Sequence, residues 1–493
     1  MDSGRIHVGG DKQLFIDHRF IERSEQVTLR VNPPRKETVD LFPRDKPWEA
    51  FTTGWYSIDW DPDTRRYKKW YAACDGDQWA GGRWRLCYAE STDGLAWEKP
   101  DLGLVEYGGS RDNNILIDGE KLTYTFHDPR GRTEERFKMI RGFPEKTKVG
   151  TSPDGIRWDL PDRPVSDLPP GWDTAKQAWW DERIGRYVVY LRVQIEEENE
   201  LPYPFAGPID SDPTVVQPTL ARPIRAIGRL ETDDLTAPWP DDEIRTVLCA
   251  DQDDPPGSDI YHAGVYPYPH AADAYFMFPL TYHHFTQAES PVVRNDGVND
   301  CQFCASRDGI HWMRYDRRPY IGRGIQGEFD GGGIHGSPYL IRRDAELYQH
   351  YGGEPWTHGQ YRRLPDHERR ERANWARGRS CVAVQRLDGF VSADAAYTGG
   401  TLLTPPLTFD GDRLDLNIDV AAMGEARVEV RDREGRPIDG FGTADCDRLT
   451  CNDVAARVRW RGSEDVGALR GRPVRLHVRM RSAKLYAFQF VNA

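Results

Sequence analysis

Apolar and polar positions alternate along this chain in short runs, and no stretch keeps the period of a long amphipathic helix. An apolar strand, a polar turn and a second aromatic strand recur, a pattern that predicts β-hairpins. Five can be quoted: Trp55 to Trp60 with Tyr67 to Ala72, Leu122 to His127 with Phe137 to Arg141, Gln177 to Trp180 with Tyr187 to Arg192, His262 to Tyr268 with Tyr275 to Leu280, and Gly336 to Ile341 with Glu346 to Tyr351.

A shorter repeat follows the hairpins. The motif Ser-x-Asp-Gly-x-x-Trp occurs at Ser91 to Trp97, Ser152 to Trp158 and Ser306 to Trp312, with degenerate copies at Glu231 to Leu235 near Trp239 and at Leu387 to Phe390. Hairpin, third strand, Asp-Gly turn and a short fourth strand make one four-stranded blade, and fixed-period repetition of such units is the signature of a radial array. The expected fold is therefore all-β, a five-bladed β-propeller over residues 40–395. Asp93, Asp154 and Asp308 are expected to cap their own turns by side-chain to backbone hydrogen bonds.

After Tyr397 the motif disappears and plain alternation takes over, as in Leu414 to Ile418, Ala426 to Val430, Val474 to Val478 and Leu485 to Phe490. Residues 396–493 are expected to form a C-terminal β-sandwich. Two strands within residues 1–39, Gln13 to Asp17 and Gln26 to Val31, should pack on the propeller or complete the sandwich.

Composition narrows the function. Sixteen Trp and twenty-two Tyr suit short aromatic strands. A net charge of −13 over 493 residues opposes a dedicated nucleic-acid partner, which needs a concentrated basic surface. The sequence carries neither a basic and apolar export leader at Met1 to Gly10 nor an apolar run of membrane-spanning length, so a cytoplasmic protein without a membrane partner is expected. Eight Cys are spread too thinly for a disulfide framework and read as free thiols. Cys301 and Cys304 fall on a strand, where positions three apart point to opposite faces, against a metal site. No cofactor is required; Asp251, Asp253 and Asp254 offer oxygens to a structural Ca²⁺, although Pro255-Pro256-Gly257 reads as a solvated loop.

In a propeller the residues just before each inner strand meet, at one mouth, those leaving each second strand. The first group includes Glu49, Glu120, Asp173, Asp259 with Tyr261 and His262, and Asp330 with His335. The second includes Asp75 and Asp77 with Trp79, Glu145, Arg192 with Gln194 and Glu196, Tyr282-His283-His284, and Glu354 with Trp356 and His358. Glycoside cleavage needs one protonated and one ionised carboxyl group flanking the bond. Crowded acids and a neighbouring Arg can split protonation in that way, and rings such as Trp79 or Trp356 can stack on a sugar.

The order of motifs resembles the five-bladed glycoside hydrolases: the invertase- and levansucrase-like families and the arabinanase- and xylosidase-like ones. The Ser91 to Trp97 motif and its copies resemble their blade signature. Pro47-Trp48-Glu49, Tyr88-Ala89-Glu90-Ser91, Asn113-Asn114-Ile115, Asp439-Gly440-Phe441 and Leu485-Tyr486-Ala487-Phe488 resemble an invertase-related group. The resemblance implies a glycoside hydrolase, furanosides favoured, acting on a glycoside or oligosaccharide. It further implies acidic residues at three inner-strand starts: Asp173 as nucleophile or base, Asp259 as general acid and Glu49 as an orienting carboxylate. Asp75, Trp79, Arg192, His284, Asp330, His335, Glu354, Trp356 and His358 are then expected to bind substrate. The Asn-Asp-Pro-Asn, Arg-Asp-Pro and Glu-Cys motifs of the invertases are absent in that form, and His127-Asp128-Pro129 follows its strand instead of preceding it. Three other readings stay open: a glycoside phosphorylase using Arg192, His284, His335 and His358 for phosphate, a lyase using Tyr261 or Tyr282 with His, and a non-catalytic sugar-binding propeller. Homo-oligomerisation is also left open.

Overall fold

The computed structural model describes residues 5–76, 81–142, 146–168, 176–195, 224–255, 257–285, 296–359 and 378–492. The described residues are nearly all strand, turn and loop, with only short 3-10 helices besides. No helix among them is long and apolar enough to cross a membrane.

Three antiparallel meanders follow one another. The first joins Thr52–Asp61, Arg66–Cys74, Trp84–Ser91 and Ile115–Asp118; the second Tyr124–His127, Phe137–Arg141 and Lys148–Ser152; the third Gln177–Asp181, Arg186–Ile195, Ile224–Thr232 and Arg245–Leu248. A fourth small sheet joins Val265–Pro267, Tyr275–Met277, Cys304–Ser306 and Trp312–Arg314. The inner strands are neighbours in a cycle. Tyr124–His127 lies beside Thr52–Asp61, where Thr125 N donates to Ser57 Oγ at 3.0 Å and His127 N to Asp59 Oδ2 at 2.7 Å. Val265 N reaches back to Gln177 Oε1 at 2.8 Å. Gly333–Arg343 closes against Thr52–Asp61 through the Tyr339 hydroxyl on Asp59. This return to the first strand is a propeller arrangement.

Four blade-like sheets stand separately, not the five expected. The remaining strands run into a seven-stranded sheet that links Ser258–His262, Leu280–His284 and Gly297–Cys301 to Gly333–Arg343, Glu346–Glu354, Arg379–Arg386 and Arg35–Glu37. The cause is local. Gly264 (φ +63°), Pro279 and the Gln302-Phe303 step interrupt three adjacent strands at one level, and a parallel contact of Asn299 with Gly333 ties the upper halves to the next hairpin.

The repeated turns behave as their residues dictate. Ser91 Oγ accepts from Asp93 N and Gly94 N, while Asp93 Oδ1 accepts from Leu95 N and Ala96 N at 2.9 Å each; Ser152/Asp154 and Ser306/Asp308 repeat the pattern. Each turn also docks on a neighbouring sheet. Gly155 O accepts from Trp70 Nε1 at 2.7 Å, Gly309 O from the Tyr190 hydroxyl at 2.5 Å, and Gly94 O hydrogen-bonds His350 Nε2 at 2.8 Å. Trp70, Tyr190 and His350 are each the fifth residue of their strands, Arg66–Cys74, Arg186–Ile195 and Glu346–Glu354.

The C-terminal strands form one ten-stranded sheet, joined throughout by hydrogen bonds, where two layers were expected. Arg413–Asp432 and Val474–Val491 pair along their lengths through irregularities at Asn417/Ile418 and Val420/Glu425, and they carry the bonding round continuously. Their alternating residues bury Leu414, Leu416, Ile418, Val428 and Phe488 with Phe15 and Phe20. The N-terminal strands divide. Ile6–Gly9, Gln13–Leu14, Arg23–Glu25 and Val27–Val31 pair within this sheet, and Arg35–Glu37 pairs with Arg379–Arg386.

Candidate active site at the inner-strand starts

Asp259 is the second residue of Ser258–His262, and alternation along the strands places it on one face with Tyr261, opposite Tyr282 and diagonal to His284. The third sheet faces it with two arginines. Arg225 Nε donates to Asp259 Oδ2 at 2.6 Å, and His284 Nε2 lies 3.1 Å from the same oxygen. His284 Nε2 is also 2.9 Å from Arg225 Nη2. One imidazole nitrogen cannot both accept from the guanidinium and donate to the carboxylate, so the proton on His284 decides which contact is bonding. Asp259 Oδ1 is buried with no hydrogen-bond partner among the described residues.

Burial alone would push the Asp259 carboxyl up; the Arg225 charge and the His284 hydrogen bond outweigh it and hold the carboxyl below its ordinary range. A general acid must keep its proton, whereas Asp259 is held ionised.

An aromatic wall adjoins the pair. Trp55 stacks on Tyr261 with centroids 6.4 Å apart, and Tyr261 stacks on Tyr282 at 5.7 Å. Arg192 lies 4.5 Å and Arg225 4.8 Å from the Tyr261 ring centre, and Arg192 donates to Tyr261 O at 2.9 Å. His262 and His335 meet Trp55 edge-on, and His358 meets Tyr261 and Tyr282. Burial, with Arg192 and His335 nearby, drives His262 down to about 3, so that ring is neutral. Trp55 sits at φ +45°, where the register shifts between Gly54 and Ser57. A bulky residue in that region is strained and is held there only by its surroundings.

Five expected residues are thus brought together: Asp259, Arg192, His284, His335 and His358. Asp173 and Trp79 lie outside the described residues, as do Asp77, Glu145 and Glu196. The other described candidates lie apart from this cluster. Glu49 is fully buried at the end of the short helix Pro47–Glu49 against the first sheet, where Oε1 accepts from the Tyr71 hydroxyl at 2.6 Å and Oε2 from Lys99 Nζ at 2.8 Å and from the Asp45 and Lys46 amides. With both oxygens engaged by scaffold donors, it shares no partner with Asp259. Asp75 pairs with Arg85 at 2.8 Å and caps Arg83 N. Asp330 accepts from Lys36 Nζ at 2.8 Å and ties in the Arg35–Glu37 strand. Glu120 pairs with Arg141. Glu354 ends its strand exposed, and the Trp356 backbone packs on Gly332. Asp251 and Asp254 are taken by Arg314 and Arg317 at 2.5–2.6 Å, so the acids proposed for Ca²⁺ already have their counter-ions. Among the described residues no group of His, Cys, Asp and Glu could hold a metal ion.

Two residues of the cluster were not foreseen. Arg225 opens a third strand, in register with Gln194, so it lies at the same sheet end as the exit from the second strand. Counting third-strand starts would have found it. Trp55 was read only as a strand residue; the preceding Gly54 was the available signal for an irregularity.

No family model and no curated protein matches the chain. Among solved structures it is similar to a glycoside hydrolase at 14% identity and TM-score 0.41, covering 72% of this chain and 92% of that one. It is similar to an N-acetylgalactosamine deacetylase from F. plautii in complex with blood group B trisaccharide at 13% and 0.44, covering 73% and 96%. A fructofuranosidase from Schwanniomyces occidentalis complexed with fructosylnystose is similar at 9% and 0.37, covering 93% and 100%.

Proposed function

We propose that the protein is a glycoside hydrolase, directed to furanosides, in which Asp259 is the ionised carboxylate. One observation carries this reading. A buried carboxylate, held ionised by Arg225 and His284, keeps one oxygen without a partner among the described residues, beside a wall of Trp55, Tyr261 and Tyr282. That oxygen can serve as nucleophile or base, and the rings can face the apolar side of a sugar. Asp173, in the segment leading into Gln177–Asp181, takes the acid role in this proposal, reversing the order expected from sequence. The scaffold is read as five blades: the three meanders, a fourth made by the small sheet together with Ser258–His262, Leu280–His284 and Gly297–Cys301, and a fifth made by the rest of the seven-stranded sheet, with residues 396–493 folded over their buried core as a sandwich. The eight free cysteines suit a reducing compartment.

The test is turnover of aryl furanosides and pyranosides by Asp259→Asn and Asp173→Asn. Asp259→Asn should lose about 10²–10⁴-fold in kcat on every substrate while still binding sugar. Asp173→Asn should lose most on poor leaving groups and little on nitrophenyl ones. Full turnover by both variants would overturn the reading. Arg192 and Arg225 converging on one ring favour phosphate as a second reading, and turnover that requires added phosphate would establish it.

A further inference from the structure

The seam where Glu346–Glu354 meets the first sheet differs chemically from the other two seams built on the same turn. At the equivalent strand position, Trp70 and Tyr190 present neutral donors to the docked glycine carbonyl, and neither side chain titrates near neutral pH. The closing seam has His350. Its Nε2 bonds Gly94 O, which fixes the proton there, and its Nδ1 is buried without a partner among the described residues. His350 packs on Tyr56 and Trp97. Against the same two rings lies Lys69, 1% exposed, with no hydrogen-bond partner for Nζ among the described residues. The amine is 3.8 Å from the Phe42 ring centre, 4.4 Å from Tyr56 and 5.2 Å from Trp97. Ring faces attract an ammonium, but they supply none of the acceptors its three N–H bonds require.

We infer that this seam is a proton-operated latch, shut while Lys69 and His350 are both uncharged and weakened when Lys69 takes up a proton. The groups facing Lys69 are Tyr56 from the inner strand, His350 from the closing hairpin, Asp40 from the incoming segment, Glu49 from the short helix, and Lys99. Glu49 is already bonded to Lys99, which leaves its charge partly spent. Burial pushes Lys69 down to about 7, with Lys99 adding to the effect, and burial beside Lys69 pushes His350 down to about 3. The sign follows from linkage. Below about 7 the amine is charged in both folded and unfolded chains and the burial penalty is fully present. Above it the unfolded chain binds the extra proton, so stability rises with pH until the ordinary lysine value is reached.

The latch is tested by unfolding wild-type protein and Lys69→Met in urea at pH 7.0, 8.0 and 9.0. The wild-type unfolding constant should fall by up to about tenfold more per pH unit than that of the variant, and the variant should be the more stable protein at pH 7.0. In parallel, ¹³C-lysine spectra of the folded wild type should show one side chain titrating near neutral pH. Amide exchange in Glu346–Glu354 should quicken as the pH is lowered through that midpoint, after correction for intrinsic rates. Equal pH slopes for the two proteins would overturn the inference. If Lys69→Met fails to fold, a lysine spectrum with every side chain at its ordinary value does so instead.

Discussion

Arg225 and Asp259 make a buried ion pair, and removing one member leaves the other without its counter-ion. Arg225→Met should therefore cost about 3–5 kcal/mol in urea unfolding at pH 7, and adding Asp259→Asn should restore much of that loss. The pH dependence has a definite sign. Asp259 is depressed in the folded chain, so its contribution is present above the ordinary aspartate value and disappears as acid protonates it. The acid limb of the wild-type stability profile should accordingly be steeper below about pH 4 than that of Asp259→Asn. Which acids would cluster was only partly legible. Asp259 stands out in the sequence because it lies at the start of a strand, a property of the pattern itself. Glu49 also precedes a strand, but Tyr71, Lys99 and two amides satisfy it, and those partners come from positions up to 50 residues away. Nothing in the Pro-Trp-Glu triplet announces them.

Among elements, the Ser-x-Asp-Gly turn was readable because its hydrogen bonds stay within four residues. Its docking was not, since the receiving ring belongs to another sheet. Gly155 shows both constraints, with φ +74° and a position where an added Cβ would stand 2.7 Å from Trp70 Cζ2. Gly155→Ala should lose about 2–4 kcal/mol, read as a lowered Tm, from left-handed strain and overpacking together. Asp154→Ala, which removes the acceptor for two amides, the Ser152 hydroxyl and the exposed Arg157 guanidinium without straining the backbone, should lose about 1 kcal/mol. The count of separate sheets was harder to anticipate. Strand-length estimates pass over Gly264 and Pro279, yet these breaks split one repeat across its width and let its upper half merge with the next hairpin.

For the molecule as a whole, the acidic loop at Asp251 to Asp254 is neutralised from within by Arg314 and Arg317, so a chelator should leave the Tm unchanged in a calorimetric scan. The N-terminal strands matter more. Leu14, Phe15, Ile16 and Phe20 are each at most 2% exposed, and deleting residues 1–31 should leave an aggregating chain with little soluble yield. Those strands find their partners very late in the polypeptide. Val27–Val31 pairs with Val391–Ala395, Arg35–Glu37 with Arg379–Arg386, and Gln13–Leu14 with Val474–Val491. During translation these early strands must therefore wait, edges unsatisfied, until partners hundreds of residues downstream have been made. At about 5–20 residues per second that delay is some tens of seconds, long enough for a nascent-chain chaperone to decide how much of each batch reaches the native state.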